Sequence, residues 1–477
     1  MKVMDKGVPA PAETAGLAQP SKGSLIARLE RLPRNAMQVR ARLLIGTATF
    51  FDGFDVIVIA ATLPLLIQKW GLSPAHVGFL IASGSVGQLV GTFLFPAIAE
   101  RYGRVRSIAW SSGIIGAASI ACGFAPTFAV FVALRVIQGL GLGGELPVAA
   151  AYINEITRAE GRGKFVLLYE LVFPIGLLVS NGLGALIVPR LGWETMYFIG
   201  GVPVIIFALV RWVVPESPRW LAEKGRFSEA SIALAAFEAT VKGPLPPVTR
   251  LQDFDNMVSA RASRRVRDLF GHAFVKRTIA VAMLWVTSGA LQYGLATWLP
   301  TIYRDSYRAP LQLALNLSVG ASIFVLLGGL ACALLVDKVG RKPVITVSFL
   351  LCAVSLALAG VFHSSSIYLV ALLCALGLGF MGSGFMTAYV YTPELYPTSI
   401  RAFACGLGGG WLKVAAIFAP ALTGKLTLHG NLQLLFFCFA VIPVAAAICI
   451  HYLAPETKGK VLEELDGEMR SFHRDGR

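Results

Sequence analysis

Charge is scarce in this chain. Only 14% of its 477 residues are charged, and the 27 acidic side chains are outnumbered by 42 basic ones. A soluble protein of this length needs a much wetter exterior, so a soluble globular class is excluded. Histidine is rare, at six, and the seven cysteines lie in apolar runs without metal-ligand spacing; they read as buried free thiols. No nucleotide loop, metal cluster or nucleophile–base pair stands out, so neither an enzyme nor a cofactor is expected. The first 42 residues lack an apolar stretch followed by a cleavage site, so they do not read as a removed signal peptide. The net charge of +15 does not point to nucleic acid, because the basic residues are scattered over short loops.

Long apolar runs fill the space that charge leaves. Hydrophobic residues make up 56% of the chain and the mean hydropathy is +0.68. Runs of roughly 20 apolar residues predict membrane-spanning helices. They fall near 43–68, 76–99, 107–124, 128–156, 163–188 and 194–213, then 276–303, 312–336, 343–361, 366–391, 402–426 and 432–453. The expected organisation is a tail (1–42, mostly flexible, with a short helix near 24–32), a six-helix bundle (43–214), a connector (215–275), a second six-helix bundle (276–454) and a tail (455–477). The connector carries short surface helices and the basic cluster Arg261, Arg264, Arg265 and Arg267, read as ordinary membrane-proximal charge. Basic residues crowd the loops after the second, fourth, eighth and tenth helices and are few in the opposite loops. The positive-inside rule then puts both termini and the connector in the cytoplasm.

The chain also repeats itself. Glu100-Arg101-Tyr102-Gly103-Arg104 matches Asp337-Lys338-Val339-Gly340-Arg341; Glu155 and Arg162 match Glu394 and Arg401; Pro215-Glu216-Ser217 matches Pro455-Glu456-Thr457. One offset of about 240 residues relates all three, which makes the halves homologous and puts a substrate site between them. These motifs resemble the major facilitator superfamily over essentially residues 43–460, with Pro96 where glycine is common and Glu100 where aspartate is usual. The resemblance implies an all-α membrane protein of twelve transmembrane helices in two pseudo-symmetric six-helix bundles. It also implies that Glu100, Arg104, Glu155, Arg162, Glu216, Asp337, Arg341, Glu394, Arg401 and Glu456 form ion-pair networks closing the cytoplasmic side.

Charges at a helix centre in lipid cost about 2.5–3.5 kcal/mol each on insertion scales, so those present need a reason. The stretch 135–164 reads as a long apolar helix that ends in a charged turn; it carries Arg135, Gln138 and Glu145 within about 80° of one another, beside Gly139 and Gly143, whose spacing permits close helix approach. At about 1.5 Å per residue, Asp55 and Arg135 reach similar depth and can pair, while Asp52, Glu145 and Lys413 lie near the midplane. A buried carboxylate can carry a proton, and a moving arginine can load and release it, so Asp55, Arg135, Asp52 and Glu145 are the candidates for proton coupling. Glu170 is a weaker one. Proton-coupled sugar porters have a similar pair, matched here by Gly53-Phe54-Asp55 and Arg135.

Lys413, in Gly409-Gly410-Trp411-Leu412-Lys413, has no carboxylate three or four residues away. It reads as an anchor for an anionic substrate, with a structural ion pair to another helix as the competing interpretation. Gln292, Tyr293, Trp298, Phe385, Tyr389 and Trp411 are candidates for surrounding a planar ring. Residues 391–402 followed by a glycine-rich helix look like the organic ion transporters and synaptic-vesicle-protein relatives, in which a basic residue at this helix position goes with organic anions. Asp52-Gly53-Phe54-Asp55 is similar to the helix 1 signature of aromatic acid:proton symporters. The run from Gly139 to Pro147, with Glu170, Tyr391-Thr392-Pro393-Glu394 and the basic residue at 413, looks like bacterial niacin transporters. Together the resemblances imply a monomeric inner-membrane importer that couples protons to a small organic anion, with nicotinate the best single guess. The alternatives are a benzoate-type acid, a sugar, drug efflux, and a membrane receptor or scaffold that does not transport.

Overall fold

The computed structural model describes residues 22–33, 35–157, 171–241, 243–247, 269–271, 274–396, 398–428 and 431–458. Among the described residues there is no strand, and twelve helical stretches are long and apolar enough to cross a membrane. In chain order the helices are α1 (Lys22–Glu30), α2 (Ala36–Trp70), α3 (Pro74–Tyr102), α4 (Arg104–Gly123), α5 (Phe128–Ile156), α6 (Val172–Leu191), α7 (Glu194–Ile199) and α8 (Pro203–Val213). After these come α9 (Pro218–Glu223), α10 (Phe227–Glu238), α11 (Val275–Gly289), α12 (Leu299–Asp305), α13 (Leu311–Val339), α14 (Arg341–Val361), α15 (Ile367–Glu394), α16 (Thr398–Leu428) and α17 (Leu432–Leu453). Two spans are interrupted. The sixth breaks between α7 and α8, at Gly200 to Val202. The seventh, expected to be continuous, passes through a π-helix (Ala290–Leu295) and a 3-10 turn (Ala296–Trp298) before α12. The carbonyl of Gly294 in the π segment is met by the Thr423 hydroxyl of the adjacent α16, which donates to it at 2.8 Å.

α2 to α8 pack mainly with one another, as do α11 to α17; the two bundles meet where α3 lies against α16, α6 against α13 and α2 against α12. Glycine sets the closest approach within the first bundle. A Cβ on Gly139 would strike the Gly84 carbonyl, and one on Gly143 the Gln88 carbonyl, so α3 and α5 touch backbone to backbone.

The repeated motifs gather at one end of the molecule. There Gly103 and Gly340 hold φ of 112° and 110°, a conformation that side chains resist. Each lets a helix begin against a carboxylate. Glu216 accepts from the N–H groups of Arg104 (2.9 Å) and Val105 (3.2 Å), and Glu456 from those of Arg341 (3.0 Å) and Lys342 (2.9 Å). Both carboxylates therefore cap a helix N-terminus, where the dipole favours negative charge. At the far end the bundles touch: Gly78 abuts Ala421, and Gln312 Nε2 donates to the Ala185 carbonyl at 2.9 Å.

The N-terminal segment departs from expectation. Residues 36–42, assigned from sequence to a flexible tail, are the first turns of α2, started by a reciprocal cap between Asn35 and Gln38. α1 is docked as well. Leu25, Leu29 and Leu32 are each 1% exposed, and Arg28 and Arg31 bridge Glu238 of α10 at 2.6 and 3.1 Å. The connector's α9 and α10 likewise bury Trp220, Leu234 and Phe237 rather than lying loose on the surface. The basic cluster at 261–267 lies outside the described residues.

Candidate functional site

Asp55 on α2 and Arg135 on α5 meet in the buried middle of the first bundle. Arg135 Nη1 donates to both carboxylate oxygens, at 2.9 and 2.8 Å, and to Gln138 Oε1 at 2.7 Å. Gln138 Nε2 donates to Asp55 Oδ1 at 2.7 Å, which closes a three-residue ring. The guanidinium fits because Gly84 opposes it: a Cβ there would come within 3.0 Å of Nη2. Asp55 and Arg135 are each 4% exposed, and a pair this buried is costly to break from one side only, at about 3–5 kcal/mol.

The other candidates for proton coupling stay close to this ring. Asp52, one turn earlier on α2, is 3% exposed; its Oδ1 has no hydrogen-bond partner among the described residues, and its charged neighbours are Lys413 and Asp55. Glu145 is fully buried and accepts from the Thr49 hydroxyl of α2 at 3.2 Å. Glu170 lies outside the described residues.

Lys413 projects from the middle of α16 toward the opposite bundle. Nζ donates to Gln88 Oε1 of α3 at 2.6 Å and to the Tyr293 hydroxyl at 3.4 Å, and it stands 5.6 Å from the Tyr293 ring centroid. Both hydrogen-bond partners are neutral; the Asp52 carboxylate interacts with Lys413 through its charge without a hydrogen bond between them. A cavity of about 10 Å³ lined by Asp55, Gly84, Gln88, Arg135 and Tyr293 joins the Lys413 contacts to the Asp55–Arg135 ring. A second, of about 20 Å³, lies where the bundles meet and is lined by Asn181, Gln292, Ser318 and Ser322. Each holds about one water, so a ring-sized ligand requires the bundles to move apart.

The aromatic candidates fall into two groups. Phe385 and Tyr389 of α15 belong to a cluster with Trp285 and Phe173: centroids are 5.3 Å apart for Phe385–Tyr389, 5.0 Å for Trp285–Tyr389 and 6.2 Å for Phe173–Phe385. The last of these contacts crosses between the bundles. Trp298 is 2% exposed and lines neither cavity, while Trp411 is half-buried; the indole N–H of each has no acceptor among the described residues.

At the motif end, Arg104 pairs with Glu100 (2.7 Å) and Glu155 (3.0 Å), and Arg341 with Asp337 and Glu394 (each 3.1 Å). The Tyr152 hydroxyl donates to the Pro215 carbonyl at 2.7 Å, and Tyr391 repeats the contact on Pro455 at 2.6 Å. Burial pushes the Glu216 carboxyl above the usual range, opposed by the backbone N–H groups that it accepts. Arg162 and the side chain of Arg401 lie outside the described residues.

Sequence reasoning missed Gln88, Asn181, Trp285 and Phe173. The signal for Gln88 was present, an amide equidistant from both ends of an apolar helix; nothing in the pattern singles out one phenylalanine among 29.

Comparison with known proteins bears on this geometry. The description Sugar (and other) transporter matches residues 43–468. The niacin transporter NiaP of Acinetobacter baylyi is 30% identical over 444 residues, 92% of this chain and 99% of that protein. The benzoate transport protein of the same organism is 28% identical over 412 residues, 84% of this chain and 85% of that one. Among solved structures, a partially occluded inward-open form of the xylose transporter XylE from E. coli superposes with a TM-score of 0.74 at 20% identity, over 89% of this chain and 100% of that one. Two bundles facing each other across buried polar groups, with a family match over nearly the whole length, make the chain a multi-pass membrane transporter and not an enzyme: it belongs to the sugar (and other) transporter family of the major facilitator superfamily.

Proposed function

We propose that the chain is a proton-coupled importer of a small aromatic or heterocyclic monocarboxylate, with nicotinate the best single candidate, working by alternating access in the inner membrane with both termini cytoplasmic. The observation that carries this reading is Lys413, a cation between the bundles that hydrogen-bonds the neutral Gln88 and Tyr293, with the Asp52 carboxylate nearby but not bonded to it. An ammonium so placed can take a carboxylate by exchanging neutral hydrogen-bond partners, at about 1.5–3 kcal/mol for the charge-assisted bond. Relatives named for niacin and for benzoate transport support the substrate class, since both acids are flat rings bearing one carboxylate. Phe385, Tyr389, Trp285 and Phe173 supply ring faces where the bundles meet. Asp55 is the proton carrier in this scheme, Arg135 its counter-ion, and the motif-end pairs are the cytoplasmic gate. A sugar is the second reading, favoured by the neutral polar lining of Asn181, Gln292, Ser318 and Ser322.

Uptake into proteoliposomes of labelled nicotinate, nicotinamide, benzoate and xylose separates the two readings. Accumulation of the acids under an inward proton gradient is expected; accumulation of xylose alone would sink the anion reading. Lys413→Ala should weaken nicotinate binding roughly tenfold to a hundredfold, with nicotinamide little changed.

A further inference from the structure

Gln88 is a buried neutral side chain, 3% exposed, halfway along α3. Its backbone is fixed: Gly143 presses against the Gln88 carbonyl, and the Thr92 hydroxyl donates to the same oxygen at 2.8 Å. The side chain therefore leaves a rigid point, crosses between the bundles and accepts from Lys413. It also lines the cavity shared by Asp55, Arg135 and Tyr293. In chemical terms its amide oxygen occupies the place that a substrate carboxylate would take on the ammonium, with the same acceptor geometry and no charge.

We propose that Gln88 is a specificity-determining residue acting as an internal ligand of Lys413: its amide oxygen holds the ammonium until a carboxylate replaces it, and the replacement releases the link between α3 and α16. The proposal rests on reading Lys413 as the anion anchor. An ammonium bond to a carboxylate is about twice as strong as one to a neutral acceptor, so an acid displaces Gln88 and an amide does not. A glutamate at this place would fill the anchor permanently, and an apolar residue would leave the cation only its longer contact with the Tyr293 hydroxyl. Glutamine satisfies the cation and still yields to an acid. Because the Gln88–Lys413 bond joins the two bundles, breaking it ties binding to their separation.

Two substitutions have opposite expected signs. Gln88→Leu removes the competing acceptor at similar volume, and nicotinate and benzoate should bind roughly fivefold to tenfold tighter, with nicotinamide unchanged. Gln88→Glu should weaken acid binding at least about tenfold and leave the amide unchanged. In a Lys413→Ala background neither substitution should alter acid binding. Losses of the same sign for acid and amide in both variants, tracking the thermal midpoint, would mean that Gln88 only packs, and would overturn the proposal. A ligand-free measurement separates this from the substrate reading. With spin labels on the exposed positions His76 and Lys425, at the far ends of α3 and α16, Gln88→Leu should lengthen the distance distribution and Gln88→Glu should narrow it. An unchanged distribution in both overturns the link. If the distances shift as expected while wild-type protein binds no acid, the link is upheld and it is the substrate reading that fails.

Discussion

The two bundles are alike at their motif ends and unlike at their centres. Arg104 with Glu100, Glu155 and Glu216 is repeated by Arg341 with Asp337, Glu394 and Glu456, down to the carboxylate that caps the following helix. Halfway through the membrane the likeness ends. The first bundle buries Asp52, Asp55, Arg135 and Glu145; the second presents Lys413, a π-helix carrying Gln292 and Tyr293, and the cluster of Trp285, Phe385 and Tyr389. Groups duplicated in both bundles fit a task that both share, which in the proposed function is opening and closing. Groups present in one bundle serve a task that is done once. On that logic the proposed function assigns the proton to the first bundle and the substrate to the second.

The comparison breaks most visibly at Asp55 and Arg135. Arg135→Ala strands a buried carboxylate, so it should cost about 3–5 kcal/mol of stability and abolish accumulation. Asp55→Asn keeps a hydrogen-bonding partner for Gln138 and should fold better; it should lose accumulation against a gradient yet retain exchange. Paired accumulation and counterflow assays, with thermal midpoints in detergent, test both. If Asp55→Asn still accumulates substrate with an unaltered response to external pH, the coupling group is elsewhere, and Asp52 or Glu145 is next.

How much of this was legible beforehand depended on whether the signal was local. The span Leu432–Leu453 matched its expected limits because Asn431 caps one end and Pro455 follows the other. The span Phe128–Ile156 matched as well, starting from the Thr127 cap. α2 began earlier than expected because hydropathy says nothing about Met37 to Arg42, although Asn35 and Gln38 already spelt a capping box. The π segment was not legible, since its support comes from Thr423, about 130 residues away in sequence. Depth counting brought Asp55 and Arg135 to one level, and the structure joins them. Lys413 was found as a charge without a local partner; its actual partner, Gln88, is 325 residues distant and on the other bundle.

The motif ends sharpen the comparison at a smaller scale, because equal motifs are not equally buried. The Arg104 side chain is 7% exposed and that of its partner Glu155 19%; the values for Arg341 and Glu394 are 15% and 25%. Screening weakens an ion pair as water reaches it. Arg104→Ala should therefore cost about 2 kcal/mol and Arg341→Ala about 1 kcal/mol. Chemical unfolding of the two variants side by side checks the order. Equal or reversed losses would mean that burial does not set the weight of the two networks.

An effect no larger is expected at a motif-end feature on the side of the first bundle, the docking of α1 on α10. Arg28 forks onto both oxygens of Glu238, and Arg31 adds a third bond. With Glu238 13% exposed and the arginines 27% and 21%, Glu238→Ala should weaken the docking by about 1 kcal/mol. That is about a fivefold rise in the population of undocked α1. A Ser24→Cys reporter in a cysteine-free background reads it, because Ser24 is half-buried in α1. Maleimide labelling in permeabilised cells should speed up about fivefold in Glu238→Ala. It should not change in Glu229→Ala, which removes a pair already exposed to water. The same reporter tests orientation: in intact cells an impermeant external maleimide should not reach it, and labelling from outside would reverse the assignment of the motif end to the cytoplasm. If the Glu238 and Glu229 variants label alike, α1 is held by Leu25, Leu29 and Leu32 and by contacts such as the Glu30–Arg219 pair, and the arginine fork contributes nothing measurable.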